Sequence, residues 1–214
     1  MTESSPYICY TSDGRRLDPW FLEPDDIRLE DIAIRLARLH RWAAAIPYTV
    51  AEHSIACAVA AHAAGANPEH VRLALLHDAA EAWLGDVPAP LRVGLAWAGG
   101  RGRSFDQLEG DILRVIHRRF AAVLPTAIPG AVSLQVWDID QSIRLSEERY
   151  WFKPETIEER TRLALILDPY GIRTGPEAAA RAEMFATIDQ PDPGPGDRRI
   201  ADLFLAHALS LGIQ

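Results

Sequence analysis

Apolar and polar residues follow a helical period along most of the chain, and one stretch departs from the polar stripe that such a period normally leaves. Residues 70–92 read HVRLALLHDAAEAWLGDVPAPLR. From Val71 to Leu84 the segment has the length and composition of a helix, with Leu73, Ala74, Leu75, Leu76, Ala79, Ala80, Ala82, Trp83 and Leu84 distributed around it. A helix apolar on every side is a buried helix. This one nevertheless carries His77 and Asp78 side by side, with Glu81 one turn later. Burying these groups costs several kcal/mol unless each is paired or bound to a metal.

The same period defines the flanking elements. It predicts a helix from Asp26 towards Arg41-Trp42, with Ile27, Ile32, Ile34, Leu36 and Leu39 available for a core face and acidic residues at 25, 26, 30 and 31 favouring its first turn. Pro47 breaks that helix, and Val50 to Ala64 forms a second, nearly all alanine and small apolar residues, with Glu52 and His53 near its start. Gly65, Asn67 and Pro68 end it; the central stretch in turn is closed by Gly85-Asp86, Pro88 and Pro90. Residues 93–104 are small, Gly-rich and basic, which predicts a mobile loop, and their glycines form no GxGxxG fingerprint for a dinucleotide.

An amphipathic helix follows over Asp106–Val123, with Leu108, Ile112, Leu113, Val115, Ile116, Phe120 and Val123 near one side. The next spans Ser133–Phe152, with Asp138 and Asp140 in its first half and Glu147, Glu148 and Arg149 at an end that reads as exposed. Helices over 155–167, 177–188 and 198–211 complete the chain, the last two separated by the turn-rich linker DQPDPGPGD. No run alternates over six or more residues and no segment repeats, so the fold class is all-α. The expected organisation is one domain: a lead-in over 1–25 packed onto a core over 26–154, and a helical extension of the same domain over 155–214.

Composition narrows the partners. The chain of 214 residues is 48% hydrophobic and carries a net charge of −8, enough for a sizeable core and without the basic footprint of a protein that binds a nucleic-acid polymer. A small anionic substrate needs only a local cluster of cations. Cys9 and Cys57 are far apart, and Cys57 in its alanine-rich helix reads as a small core thiol. The sequence shows neither a cationic start leading into an apolar run nor a membrane-length apolar stretch, which predicts a soluble, cytoplasmic protein.

His53, His77, Asp78 and Asp140 have the donor chemistry of a divalent-ion site, since imidazole nitrogen and carboxylate oxygen suit first-row ions and tolerate magnesium. On an ideal helix His77 and Asp78 stand about 100° apart, and their different lengths let both reach one ion. His53 and Asp140 join them from two other helices. Asp138 competes with Asp140; about 200° separates them, so only one can face the ion. Glu81, four residues after His77 and three after Asp78, lies over the same site.

A His, a His-Asp pair and a later Asp in this order resemble the HD-domain phosphohydrolase superfamily. VAEHS at 50–54, LLHDAAEAWLGDVPAPLR at 75–92, the helix around Asp140 and the dipeptide Arg41-Trp42 are similar to its small 5′-deoxynucleotidase-like branch. The resemblance spans roughly residues 26–152, and the lead-in also resembles small HD proteins acting on deoxynucleotides, including phage dATP triphosphohydrolases. It implies a helical bundle holding one divalent ion (Mn, Co, Fe, Zn or Mg) on His53, His77, Asp78 and Asp140. The downstream helix of the family selects Asp140 through its seven-residue spacing to Glu147.

By the same resemblance Asp78 and Glu81 are catalytic, with Glu81 handling protons near the attacking water or leaving oxygen. Asp86 would accept a hydrogen bond from the sugar hydroxyl, Arg41 would meet the phosphate, and Trp42 would pack on the nucleoside. The implied activity is release of phosphate from deoxyribonucleoside 5′-monophosphates by attack of a metal-bound water, and the resemblance also allows a homo-oligomer. A dNTP triphosphohydrolase and a non-catalytic nucleotide-binding or regulatory module remain as alternatives. The chain has AAEAWLGD after its His-Asp pair where the larger triphosphohydrolases share a sequence rich in glycine and histidine. Arg92, Arg101 and Arg103 are outside candidates for phosphate.

Overall fold

Two antiparallel two-residue strands, β1 (Cys9–Tyr10) and β2 (Arg16–Leu17), lead into helices that bury a shared apolar core. The structure is a computed structural model and describes residues 9–88, 91–92, 104–120, 134–151 and 195–213. Its helices are α1 (Leu29–Leu36), α2 (Val50–Ala63), α3 (Pro68–Leu76), α4 (Glu81–Leu84), α5 (Phe105–Phe120), α6 (Leu134–Trp151) and α7 (Pro195–Ser210). The mostly helical content agrees with the all-α expectation. No helix among the described residues is long and apolar enough to cross a membrane.

Helix α2 lies at the centre because small apolar residues cover most of its surface. Val50, Ala51, His53, Ser54, Ile55, Ala56, Cys57, Ala58 and Ala61 are all buried, and the small side chains let α1, α3, α6 and α7 approach closely. A reciprocal cap fixes its start: the Glu52 amide donates to Thr49 Oγ1 at 3.2 Å, while the Thr49 amide donates to the Glu52 carboxylate at 2.8 Å. Asn67 caps α3 through the His70 amide at 2.9 Å, with Pro68 at the first helical position.

Several boundaries differ from the expectation, each for a local reason. The helix expected from Asp26 to Arg41-Trp42 is a 3-10 turn at Pro24–Asp26 followed by α1, which ends at Leu36. Beyond it the chain turns back on itself. His40 bridges Thr49, the Arg41 amide donates to the Tyr48 carbonyl at 2.8 Å, and the Val50 amide donates to that of Leu39 at 2.9 Å. Arg41 is therefore extended, not helical. The helix expected over Val71–Leu84 is broken at residues 77–80, where the amides of Ala79, Glu81 and Ala82 bond three residues back, to Leu76, Asp78 and Ala79.

The last helix starts at Pro195, inside what reads as the linker. Helix α5 is described only to Phe120, with Leu108, Ile112, Leu113, Ile116 and Phe120 buried as expected. Most of the loop at 93–104 and the segments expected as helices over 155–167 and 177–188 lie outside the described residues. The lead-in is held to the core at its described end. Gly14 turns the hairpin with φ +83°, the Ser12 amide donates to Asp31 of α1 at 2.7 Å, and Asp18 caps a 3-10 turn at Pro19–Phe21.

Helix α7 packs on α1 and α2 and puts Ala201, Phe204 and Ala208 into the core, with Ile213 just beyond it. Phe204→Ala is expected to cost about 3–5 kcal/mol of unfolding free energy, because a fully buried ring is removed. A change below about 1 kcal/mol in chemical denaturation would show that α7 does not belong to the core.

Candidate metal centre

Histidine side chains become metal ligands when one ring nitrogen is tied down and the other is left facing a shared point. Both buried histidines of the core are arranged this way. His53 on α2 donates from Nδ1 to Glu147 Oε1 of α6 at 2.6 Å, and His77 donates from Nδ1 to the Ala74 carbonyl at 2.8 Å. Their Nε2 atoms then point at one another across 3.3 Å. The His77 bond to Ala74 sits where the helix tightens between α3 and α4, so the break in the helix and the aim of the ligand are one feature.

The carboxylates close the site. Asp140 Oδ1 of α6 lies 3.0 Å from His53 Nε2 and 3.7 Å from His77 Nε2. Asp78 Oδ2 lies 3.2 Å from His77 Nε2 and 3.6 Å from His53 Nε2. Donors held about 2.0–2.2 Å from a single first-row ion lie about 3–4 Å apart, so these separations fit one ion. Asp138, the competitor of Asp140, is exposed. His53, Cys57, His77 and Asp140 each offer a donor atom within 4.8 Å of the others, and this buried group can hold a metal ion.

Glu147 corrects the reading of its helix end as exposed: it is 6% exposed. Besides His53, its carboxylate accepts from Arg41 Nε at 3.2 Å and from Trp42 Nε1 at 3.3 Å. Arg41 reaches across with Nη1 to Asp78 Oδ2 at 3.2 Å. One carboxylate thus joins a metal-ligand candidate to both residues of the Arg-Trp dipeptide. The signal for it was its seven-residue spacing from Asp140, which places the two on the same helix face two turns apart.

Arg41 and Trp42 sit at an unusual stretch of backbone. Trp42, Ala43 and Ala44 all have positive φ, at 59°, 53° and 60°. Each such non-glycine residue costs roughly 1–2 kcal/mol. The bridge between His40 and Thr49 and the side-chain bonds to Glu147 hold the turn in this shape.

Burial disfavours the charged form of every group here, and opposite charges outweigh it for most. Burial alone lowers the pKa of His53, yet the influence of Cys57 and Glu147 and the bond to Asp140 leave it well above the ordinary histidine value. His77 is likewise raised against burial, mainly by Asp78. Burial works against ionised Asp78, Asp140 and Glu147, and the imidazoles hold all three below the usual carboxylate range, with Arg41 adding to the effect on Asp78 and Glu147.

Glu81 is the exception. It is buried at the start of α4, and burial followed by the charges of Asp78 and Asp86 pushes its pKa well up. Its Oε2 has no hydrogen-bond partner among the described residues. Asp86 follows Gly85, whose φ of +79° turns the chain out of α4, and is half-buried. Burial raises its pKa, Arg41 opposes the rise and Asp78 adds to it.

Of the residues expected from sequence, His53, His77, Asp78, Asp140, Arg41 and Trp42 are joined by these contacts, with Cys57 and Glu147 added by the structure. Arg92 instead pairs with Asp106 and Glu109 of α5, and Arg101 and Arg103 lie outside the described residues.

No family model matches the chain. Over 129 residues it is 40% identical to an uncharacterized protein of Rhodobacter capsulatus, covering 56% of this chain and 62% of that protein. Over 134 residues it is 28% identical to the uncharacterized protein YfdR of Escherichia coli, covering 61% of this chain and 68% of YfdR. The match thus spans less than two thirds of the Rhodobacter relative's length.

Two substitutions test the geometry. Asp140→Asn should abolish retention of a divalent ion through purification, while Asp138→Asn should leave the metal content at the wild-type level; the reverse pattern would exchange their roles. Glu147→Gln should weaken metal affinity by roughly 10–100-fold with helical content unchanged, because His53 loses the partner that orients it. Wild-type affinity in a competition titration would remove Glu147 from the site.

Proposed function

We propose that the chain is a metal-dependent phosphohydrolase of the HD type that acts on nucleotides and releases phosphate from deoxyribonucleoside 5′-monophosphates. The observation that supports this most is the approach of Asp78 and Asp140 to the Nε2 atoms of His53 and His77, with Glu81 buried just along the chain and Arg41 bonded to Asp78 and Glu147. His53, His77, Asp78 and Asp140 would hold the ion. When bound there, a divalent cation supplies Lewis acidity towards a phosphoryl oxygen and lowers the pKa of water.

The chain's own residues divide the remaining work. Arg41 keeps its charge, because Glu147 and Asp78 raise its pKa against burial, and it offers the cation that a phosphate needs. Trp42 is half-buried, with its indole N–H fixed on Glu147, which holds the ring in one orientation for a nucleoside. Glu81, favoured in its neutral form by burial and by Asp78, would hold and release a proton beside the reacting oxygens. Asp86 accepts from the sugar hydroxyl. The backbone turn that carries Arg41 and Trp42 is thus a positioning device, consistent with strain concentrating at functional sites.

A screen of deoxyribonucleoside mono- and triphosphates with several divalent ions tests this reading. Inorganic phosphate from the monophosphates is expected, and Glu81→Gln should lose about 10²–10⁴-fold in turnover while keeping its metal. Release of inorganic triphosphate from dNTPs would replace the substrate assignment. Turnover of neither class with any ion would overturn the catalytic reading in favour of a binding module.

A further inference from the structure

Cys57 is fully buried and follows His53 by one helical turn on α2, so the two side chains share a face. Its Sγ lies 3.5 Å from His53 Nε2, the nitrogen that faces His77 and Asp140, while His53 Nδ1 is taken up by Glu147. A thiol that only filled space in the core would need nothing beyond apolar neighbours. This one belongs to a group of four donor atoms from His53, Cys57, His77 and Asp140 that all fall within 4.8 Å of one another. Sulfur at ~2.3 Å and nitrogen at ~2.0–2.1 Å from a single ion would lie about 3.5 Å apart at tetrahedral angles.

We propose that Cys57 is a thiolate ligand of the ion, so that the centre combines nitrogen, oxygen and sulfur donors and selects zinc, cobalt(II) or iron(II) over magnesium. This rests on the reading that the cluster holds an ion. As the sulfur–metal bond forms, the thiol proton leaves to solvent and no electron changes hands. The consequence is a choice of metal, since a soft thiolate favours ions on the softer side of the first-row series and gives little to magnesium, which takes oxygen ligands.

Cobalt(II) loading of the full chain tests the proposal without reference to turnover. Wild type should bind cobalt with a near-ultraviolet thiolate-to-cobalt charge-transfer band. Cys57→Ser and Cys57→Ala should bind cobalt without that band. The chain has 2 cysteines, so Cys9→Ser should retain the band and assign it to Cys57 even if a Cys57 variant fails to fold. A wild-type cobalt complex that depends on His77 yet lacks the band, or a band that persists in Cys57→Ser, would overturn the thiolate ligand and leave the metal centre standing. Cobalt binding that His77→Ala leaves unchanged would sink the underlying metal reading, and this proposal with it.

Discussion

The structure depends on how two imidazoles and several carboxylates are kept inside an apolar core. Moving unpaired charges there is strongly unfavourable, and these groups are stabilised largely by one another. His53 and Glu147 join α2 to α6, His77 and Asp140 join the end of α3 to α6, and Arg41 joins Asp78 to Glu147. Removing any one member leaves a buried charge without its partner. The same arrangement that would be costly as mere packing is what a cation requires, with lone pairs aimed inwards and the outer nitrogens tied down.

The two kinds of structure around the cluster serve different ends. His53 and Asp140 come from helices packed through buried apolar side chains, and His77 and Asp78 from the tight turn that joins α3 to α4 within the same core. Arg41, Trp42 and Asp86 come from irregular backbone, at a left-handed turn and after a positive-φ glycine. Such segments point side chains in directions a helix does not offer, and the strain they carry is held by bonds to the rigid part.

Much of this was legible in the sequence because burial and polarity conflict so openly there. The apolar run around His77 and Asp78 marked the buried helix, and donor chemistry singled out His53 and Asp140. The break at 77–80 was not legible: Ala79 and Ala80 favour helix as strongly as their neighbours, and what shortens the turn is the geometry of backbone bonds together with a side-chain bond to Ala74. Glu147 was misread because Glu148 and Arg149 beside it have the composition of a solvated face, and only packing against Arg41, Trp42 and His53 shows which carboxylate turns inwards. Cys57 looked like any small residue of an alanine-rich helix. Its role depends on distances that spacing alone does not give.

The claim on which the rest depends is that the cluster is a cation site. Anomalous scattering at a metal edge, from crystals of the protein grown with zinc, tests it most directly. A single strong peak bounded by His53 Nε2, His77 Nε2 and Asp140 Oδ1 is predicted. A well-ordered crystal with those three atoms in hydrogen-bonded contact and no peak between them would contradict the account.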